Sequence, residues 1–470
     1  MKKILILIIY LYNVCYCVPV DVVDTDGANN NETKIEEKQI LIIISYDGFR
    51  NEYLHRNVTP NMLDFRENGA YADYMKNVFP TKTFTNHHSI ATGLYPDKHG
   101  VLANSLYDTE KGPLKYSYDL FHFNPEVVPI WILNQQYGGK SACVMWPGSN
   151  FEYLNQTCHY TMIYNTSVPF NDRVDQMITW LTKETDAPNL VMFYSEQPDK
   201  LAHMVGPDSS NITDMVEKMD LLTKYIQDEL AKNNLINRTN VIHLSDHGMA
   251  STSQPYFINI TDYLEPDTYK YYGTSPVLQI VPEKEKYDDV YERLKNASIE
   301  NKNFKIYTNE NLLERWHANN TRRLGPIILV AEYGYAFDDM YILANHFRKE
   351  NNVPFTMNSS YGVHGYDNEY DLMHAYFMAK GPQIKSNFKL NPFETVDLYE
   401  LFIKLLQIDD VKLNYKTSGS YSRVSGILIE NKSYLTNIIV SVVLAAIVIV
   451  LLIIYAVHQV KKRQNYNVNI

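Results

Sequence analysis

Cysteine is scarce, with four residues in a chain of 470. Four are too few for a disulfide scaffold. None stands in a Cys-x-x-Cys pair, which excludes thiolate zinc modules. An excess of positive charge is lacking too. With 43 Lys and Arg against 54 Asp and Glu, the formal net charge is −11. A dedicated nucleic-acid binder needs a basic stripe to displace counterions, so no polymeric nucleic-acid partner is expected. No internal repeat and no low-complexity linker interrupts residues 39–410. Apolar residues are plentiful: 45% of the chain is hydrophobic, enough to bury a sizeable core and to exclude wholesale disorder. The length alone allows two or three domains, or one large α/β domain with appendages.

The two ends point to a compartment. Met1, Lys2 and Lys3 precede an apolar run over 4–14. A basic start followed by a short apolar segment reads as a secretory signal, residues 1–17, cut near Cys17; a first core strand is the alternative. Residues 18–38 are polar and read as a flexible lead-in. Residues 438–457 are apolar without a charge. Twenty helical residues at ~1.5 Å rise cover ~30 Å, one bilayer core. Lys461, Lys462 and Arg463 follow, which is the positive-inside pattern. The chain continues to a polar end at Ile470, unlike a GPI signal, which ends in its apolar tail. The expected layout is a polar stalk over 411–433, a transmembrane helix over 434–458 and a cytoplasmic tail over 459–470. That describes a single-pass type I membrane protein with residues 39–410 outside. Sequons at Asn31, Asn57, Asn155, Asn165, Asn211, Asn237, Asn259, Asn296, Asn319, Asn358 and Asn431 fit a glycoprotein. If Cys15 and Cys17 leave with the signal, Cys143 and Cys158 remain. In an oxidising compartment two cysteines most simply pair, closing a loop worth ~3 kcal/mol. Two unpaired buried thiols are the alternative.

Short apolar runs recur at 39–46, 141–146, 190–195, 241–245, 277–281 and 327–331. Segments with helical periodicity lie between them, at 173–183, 214–231 and 287–296. Strands alternating with helices indicate an α/β fold around a mostly parallel sheet. In such sheets ligands collect beyond the carboxyl ends of the strands. After the first run comes Asp47-Gly48; after the third come Asp199 and His203; after the fourth come Asp246 and His247. His364 stands separately, between Val363 and Gly365.

Each has an ordinary reading. Asp47 before Gly48 suits a turn or a helix cap. Asp199 and His203, at i and i+4, share a helical face that solvent could cover. Asp246 and His247 would point to opposite faces unless their strand is ending. Together they supply three carboxylates and three imidazoles with no thiolate, a donor set that suits a pair of Zn²⁺ ions with open positions. Two metals ~4 Å apart clamp the attacking and leaving oxygens of a phosphoryl transfer. A nucleophile is available in the segment 78–100. Thr83 precedes a helical stretch, where backbone amides favour a phosphate, although a Thr hydroxyl needs a base or a metal to activate it.

The segment around Pro80-Thr81-Lys82-Thr83-Phe84, with Tyr46-Asp47-Gly48-Phe49-Arg50, Glu196-Gln197-Pro198-Asp199-Lys200-Leu201-Ala202-His203, Ser245-Asp246-His247-Gly248-Met249 and Gly362-Val363-His364-Gly365-Tyr366-Asp367-Asn368 in order, resembles the nucleotide pyrophosphatase/phosphodiesterase family of alkaline-phosphatase-like ectoenzymes, and within it the short type I members. The resemblance covers roughly residues 39–407. It implies an alkaline-phosphatase-like α/β sandwich and a phosphodiesterase catalytic domain over 39–410. It implies that Thr83 is both nucleophile and metal ligand. Asp47, Asp246 and His247 would complete one zinc site, and Asp199, His203 and His364 the other. Asn104 would bind the phosphate. Phe84 and Tyr164 would stack on a nucleobase, ordinary core packing being the alternative for both. The expected substrates are extracellular nucleotides, dinucleoside polyphosphates or nucleoside triphosphates, cleaved to 5′-monophosphates at a cell surface, or at a virion or host membrane were the source viral. Gln197, Lys200-Leu201-Ala202 and Asn150 depart from the family pattern without removing a ligand. Competing readings are a choline-lipid phosphodiesterase on the same scaffold, a sulfatase, which lacks its nucleophile motif here, and a non-catalytic surface binding protein, which would have lost ligands.

Overall fold

A computed structural model describes residues 39–320, 322–351, 356–429 and 432–467. The expected signal (1–17), the lead-in (18–38) and the sequons at Asn31 and Asn431 lie outside the described residues.

The strand Ile40–Tyr46 is an unbroken run of buried side chains, as expected of a strand covered on both faces. It lies in the middle of an eight-stranded sheet. Thr239–Leu244 flanks it on one side and Leu190–Ser195 on the other, both in parallel register. Ser141–Val144 and Tyr160–Met162 continue the parallel arrangement outward. Beyond Thr239–Leu244, Phe377–Lys380 pairs antiparallel, followed by Ala70–Ala72 and Phe388–Leu390. The amphipathic helices Phe170–Leu181 and Ser210–Lys232 bury one face each, through residues such as Val174, Met177, Val216 and Met219, and cover the sheet's apolar surface.

Two of the six apolar runs are not in this sheet. Val277–Pro282 and Ile327–Ala331 form a four-stranded antiparallel sheet with Tyr269–Thr274 and Phe304–Tyr307. The helix Tyr287–Asn301 packs on it through Val290, Leu294 and Ala297. A short apolar run has the same appearance in either kind of sheet when one face is fully covered.

Cys143 and Cys158 are joined in a disulfide with Cα atoms 6.0 Å apart. The bond closes the loop between the strands Ser141–Val144 and Tyr160–Met162. Much of the segment expected to be a polar stalk packs on the body instead. Val424 and Ile427 are fully buried, Arg423 donates to Asp397 at 2.7 Å through both Nε and Nη2, and the Tyr415 hydroxyl reaches Val128 O. Polar composition hid a few apolar anchors with long-range partners. The C-terminal helix, Lys432–Asn467, contains Val442–Lys461, a stretch long and apolar enough to cross a membrane.

Candidate active site

Three neighbouring parallel strands end at the same rim. Asp47 directly follows Tyr46, Asp246 and His247 follow Leu244 by two and three residues, and Asp199 opens the helix Asp199–Val205 a few residues after Ser195. Gly48 lets them converge. It has φ +63°, and a Cβ there would lie 2.7 Å from Asp199 Cβ, so a side chain would separate the first and third carboxylates. Its N–H donates to Asp246 Oδ1 at 3.1 Å, and Asp199 N–H donates to Asp47 O at 3.0 Å. His364 arrives from the strand Ser360–Val363. Gly365 after it, with φ +122°, lies against the Lys82 side chain.

Around His247 Nε2 stand Asp246 Oδ2 at 3.0 Å, Asp47 Oδ1 at 3.4 Å and Thr83 Oγ1 at 3.2 Å. Asp199 Oδ2 lies 3.4 Å from His203 Nε2, and Asp199 Oδ1 lies 3.6 Å from His364 Nε2. Two ligand atoms each ~2.1 Å from one tetrahedral zinc are ~3.4 Å apart, so these spacings fit a coordination shell. Asp47, Asp246 and His247 form one group able to hold a metal ion, and Asp199, His247 and His364 a second. His247 thus stands between the two, its ring stacked on His364 at 3.6 Å between centroids.

The three imidazoles are oriented alike. Nδ1 of His203 meets Gly362 O at 2.7 Å, that of His247 meets Gly248 O at 2.8 Å, and that of His364 meets Thr81 O at 2.8 Å. A carbonyl only accepts, so Nδ1 carries the proton and Nε2 turns a bare lone pair to the site, as metal ligation requires. Asp47 Oδ1, Asp199 Oδ1 and Asp246 Oδ2 are buried without a hydrogen-bond partner among the described residues. Burial, with Asp246 and Asp199 beside it, pushes the Asp47 carboxyl well above the ordinary range. Burial would also raise Asp246, but His247 and His87 hold it below its usual value. Buried carboxylates in this number persist when they are paired or coordinate a metal. The donor set and its orphaned oxygens therefore fit a bound metal.

Thr83 is the first residue of the helix Thr83–Thr92, and Lys82 at its N-cap gives no side-chain cap. Apart from the Phe84 N–H, which Asn104 takes, the first-turn amides of this helix suit an anion. Lys82 is itself fixed from below, its Nζ donating to Ser275 O at 2.6 Å; burial lowers its pKa to about 8. Asn104 Oδ1 accepts from Phe84 N–H at 2.9 Å. Its amide nitrogen is consequently free to face the cleft of about 550 Å³ that Asp47, Thr83, Asn104, Asp199 and His203 line. Phe84 and Tyr164 line the same cleft. Tyr164 is 52% exposed, which excludes core packing for it. Phe84 is partly buried against Tyr116 and Phe121.

Sequence reasoning passed over several neighbours. The Tyr194 hydroxyl donates to Asp47 Oδ2, yet Tyr194 lies in a run read only as a strand. Tyr116 lines the cleft, accepts from Gly148 N–H at 3.1 Å and donates to Asn150 Oδ1. His87 bridges Thr83 O at 2.8 Å and Ser45 Oγ at 2.9 Å. Only Tyr194 carried a signal, a hydroxyl in a mostly apolar strand; His87 stands in a largely polar helix and Tyr116 outside any helix or strand.

The arrangement agrees with comparisons to known proteins. Residues 41–367 match the family model described as type I phosphodiesterase/nucleotide pyrophosphatase. The chain is 32% identical over 463 residues to a bis(5′-adenosyl)-triphosphatase of Xenopus laevis, covering 97% of this chain and 94% of that one. It is 35% identical to ectonucleotide pyrophosphatase/phosphodiesterase family member 5 of Homo sapiens, covering 83% and 78%. Among solved structures, an inactive threonine-to-alanine variant of murine ectonucleotide pyrophosphatase/phosphodiesterase 5 in complex with AMP superposes with a TM-score of 0.74 at 33% identity, over 84% of this chain and 100% of that one. The alkaline-phosphatase-like fold, the rim of carboxylates and imidazoles and these matches together establish that the chain belongs to the type I phosphodiesterase/nucleotide pyrophosphatase family of hydrolases.

Proposed function

We propose that the chain is a zinc-dependent ectonucleotide pyrophosphatase/phosphodiesterase that cleaves extracellular nucleotides to 5′-monophosphates through a nucleotidyl-threonine intermediate. The observation that supports this reading is the meeting of Asp47, Asp199, Asp246, His247 and His364 at one rim, with His203 Nε2 3.4 Å from Asp199 and the Thr83 hydroxyl 3.2 Å from His247 Nε2. Asp47, Asp246 and His247, with Thr83, would hold one Zn²⁺, and Asp199, His203 and His364 the other. Two such ions would lower the pKa of the Thr83 hydroxyl and of a water and draw charge from the phosphate.

Thr83 Oγ1 attacks phosphorus in line, forming a P–O bond as the bond to the leaving group breaks. Water then attacks from the vacated side, restoring the Thr83 hydroxyl and releasing the monophosphate. The amides of the Thr83 turn and the Asn104 amide meet the phosphate oxygens as charge builds on them. Phe84 and Tyr164 stack on the base and hold the substrate in register. The reading is supported by relatives named for hydrolysing bis(5′-adenosyl)-triphosphate, and by the related structure in which a threonine-to-alanine variant is inactive and AMP is bound. Residues 39–410 act outside the cell, and the C-terminal helix anchors them at its surface.

The purified chain is assayed on a nitrophenyl ester of a nucleoside 5′-monophosphate beside nitrophenyl phosphocholine, with and without chelator. Chelator-sensitive hydrolysis of the nucleotide ester, lost in Thr83→Ala, is expected. Hydrolysis of the phosphocholine alone would replace nucleotides by choline lipids as substrates, since aromatic walls also hold quaternary ammonium groups.

A further inference from the structure

Lys200 faces the cleft, yet neither the ligand set nor the stacking pair uses it. We propose that Lys200 is a specificity-determining residue: its ammonium holds the non-reacting phosphates of a polyphosphate substrate, so that nucleoside and dinucleoside polyphosphates are preferred over phosphodiesters with an uncharged leaving group. This rests on the phosphodiesterase reading above and narrows its substrate class.

Among the described residues that line the cleft, Lys200 is the only Lys or Arg. It is exposed, and it sits one residue after Asp199 and three before His203 on the same short helix. Its usual partner is taken. Glu196 stands four residues earlier, the spacing at which a Glu commonly pairs with a Lys. Arg173 holds that carboxylate through both oxygens, at 2.7 and 3.3 Å, and both residues are buried. The Asp199 oxygens are turned to His203 and His364. No ion pair joins Lys200 to a carboxylate among the described residues.

With the proposed metal ions bound, the Lys200 ammonium would meet like charge, which an anion between them would offset. Phosphates beyond the reacting one supply that anion, and a nitrophenyl or alkyl leaving group does not. A lysine suits the task. Its ammonium is a point charge on a flexible stem, able to follow phosphate chains of different length without a fixed bidentate geometry.

The full chain in detergent, as wild type and as Lys200→Met, Lys200→Glu and Lys200→Arg, is assayed on diadenosine triphosphate, ATP and the nitrophenyl ester of a nucleoside 5′-monophosphate, at low and high salt. The readout is the ratio of kcat/KM for polyphosphate to that for ester. It is expected to fall about tenfold in Lys200→Met, equivalent to ~1.4 kcal/mol. It falls further in Lys200→Glu, mainly through KM, and recovers in Lys200→Arg. The wild-type ratio declines with salt, while that of Lys200→Met declines less. A ratio unchanged in both Lys200→Met and Lys200→Glu overturns the proposal, because loss common to all substrates reports positioning of Asp199 rather than phosphate recognition. A wild-type chain idle on every substrate overturns the phosphodiesterase reading, and this one with it.

Discussion

His203, His247 and His364 each engage a backbone carbonyl through Nδ1, so their direction is set by the fold before any ion binds. Removing one of them should therefore cost a metal rather than the fold. His364→Ala is expected to bind about one zinc per chain instead of about two, by metal analysis after gel filtration, with a nearly unchanged circular dichroism spectrum. Tyr164 stands half exposed at the cleft wall. Base stacking is worth ~1–3 kcal/mol by alanine substitution, so Tyr164→Ala should raise KM for nucleotide substrates about tenfold, measured by initial rates, with a smaller effect on kcat. The carboxylates and imidazoles that meet at the rim were legible in the sequence because their types are uncommon at strand ends and their chemistry is shared. Tyr194 and Tyr116 were not legible. Tyr194 gains its role through Asp47, 147 residues away, and Tyr116 through Gly148 and Asn150, more than 30 residues away.

The strand Thr239–Leu244 carries a second kind of histidine. His243 is buried between Tyr46 and Phe65, with neither ring nitrogen hydrogen-bonded among the described residues. Burial lowers its pKa to about 3, against ~6.5 for an exposed imidazole. The depressed folded value means that the unfolded chain takes up the proton first. Stability is therefore fully present above about pH 6.5 and is lost as pH falls toward 3. His243→Phe keeps the ring contacts and removes the titration, so its urea-unfolding stability should decline less than wild type between pH 7 and pH 5. An equal decline would contradict the assignment. The element pairing Ser141–Val144 with Tyr160–Met162 is closed by the Cys143–Cys158 bond. Replacing both cysteines with Ala should cost ~3 kcal/mol for a loop of this length, read as a lower thermal midpoint. The parallel strands were legible as apolar runs of the right length. The antiparallel partners of Val277–Pro282 and Ile327–Ala331 were not, because strand direction is set by the connections between runs rather than by side-chain pattern.

At the scale of the whole molecule, the folded body extends past residue 410. Val424 and Ile427 are buried in the main core and Arg423 is tied to Asp397, so a chain ending at 410 should be less stable than one ending at 431. Burial of two aliphatic side chains contributes ~1.5–3 kcal/mol each, a difference visible as soluble yield and thermal midpoint. The chain ending at 431 should also partition into buffer, whereas the full chain, with Val442–Lys461, should partition into detergent. The apolar end was legible because length and hydropathy alone decide it; the packed segment before it was not, since three anchors in a polar stretch leave no periodicity. In the proposed mechanism Thr83 becomes covalently nucleotidylated while the site holds zinc. The most direct test is acid-quenched mass spectrometry of the peptide containing Thr83, after milliseconds of reaction with a nucleoside 5′-monophosphate nitrophenyl ester. The expected result is a nucleotidyl adduct on Thr83 that forms with the nitrophenol burst, vanishes with chelator and is missing in Thr83→Ala. Full turnover by Thr83→Ala without an adduct would contradict it.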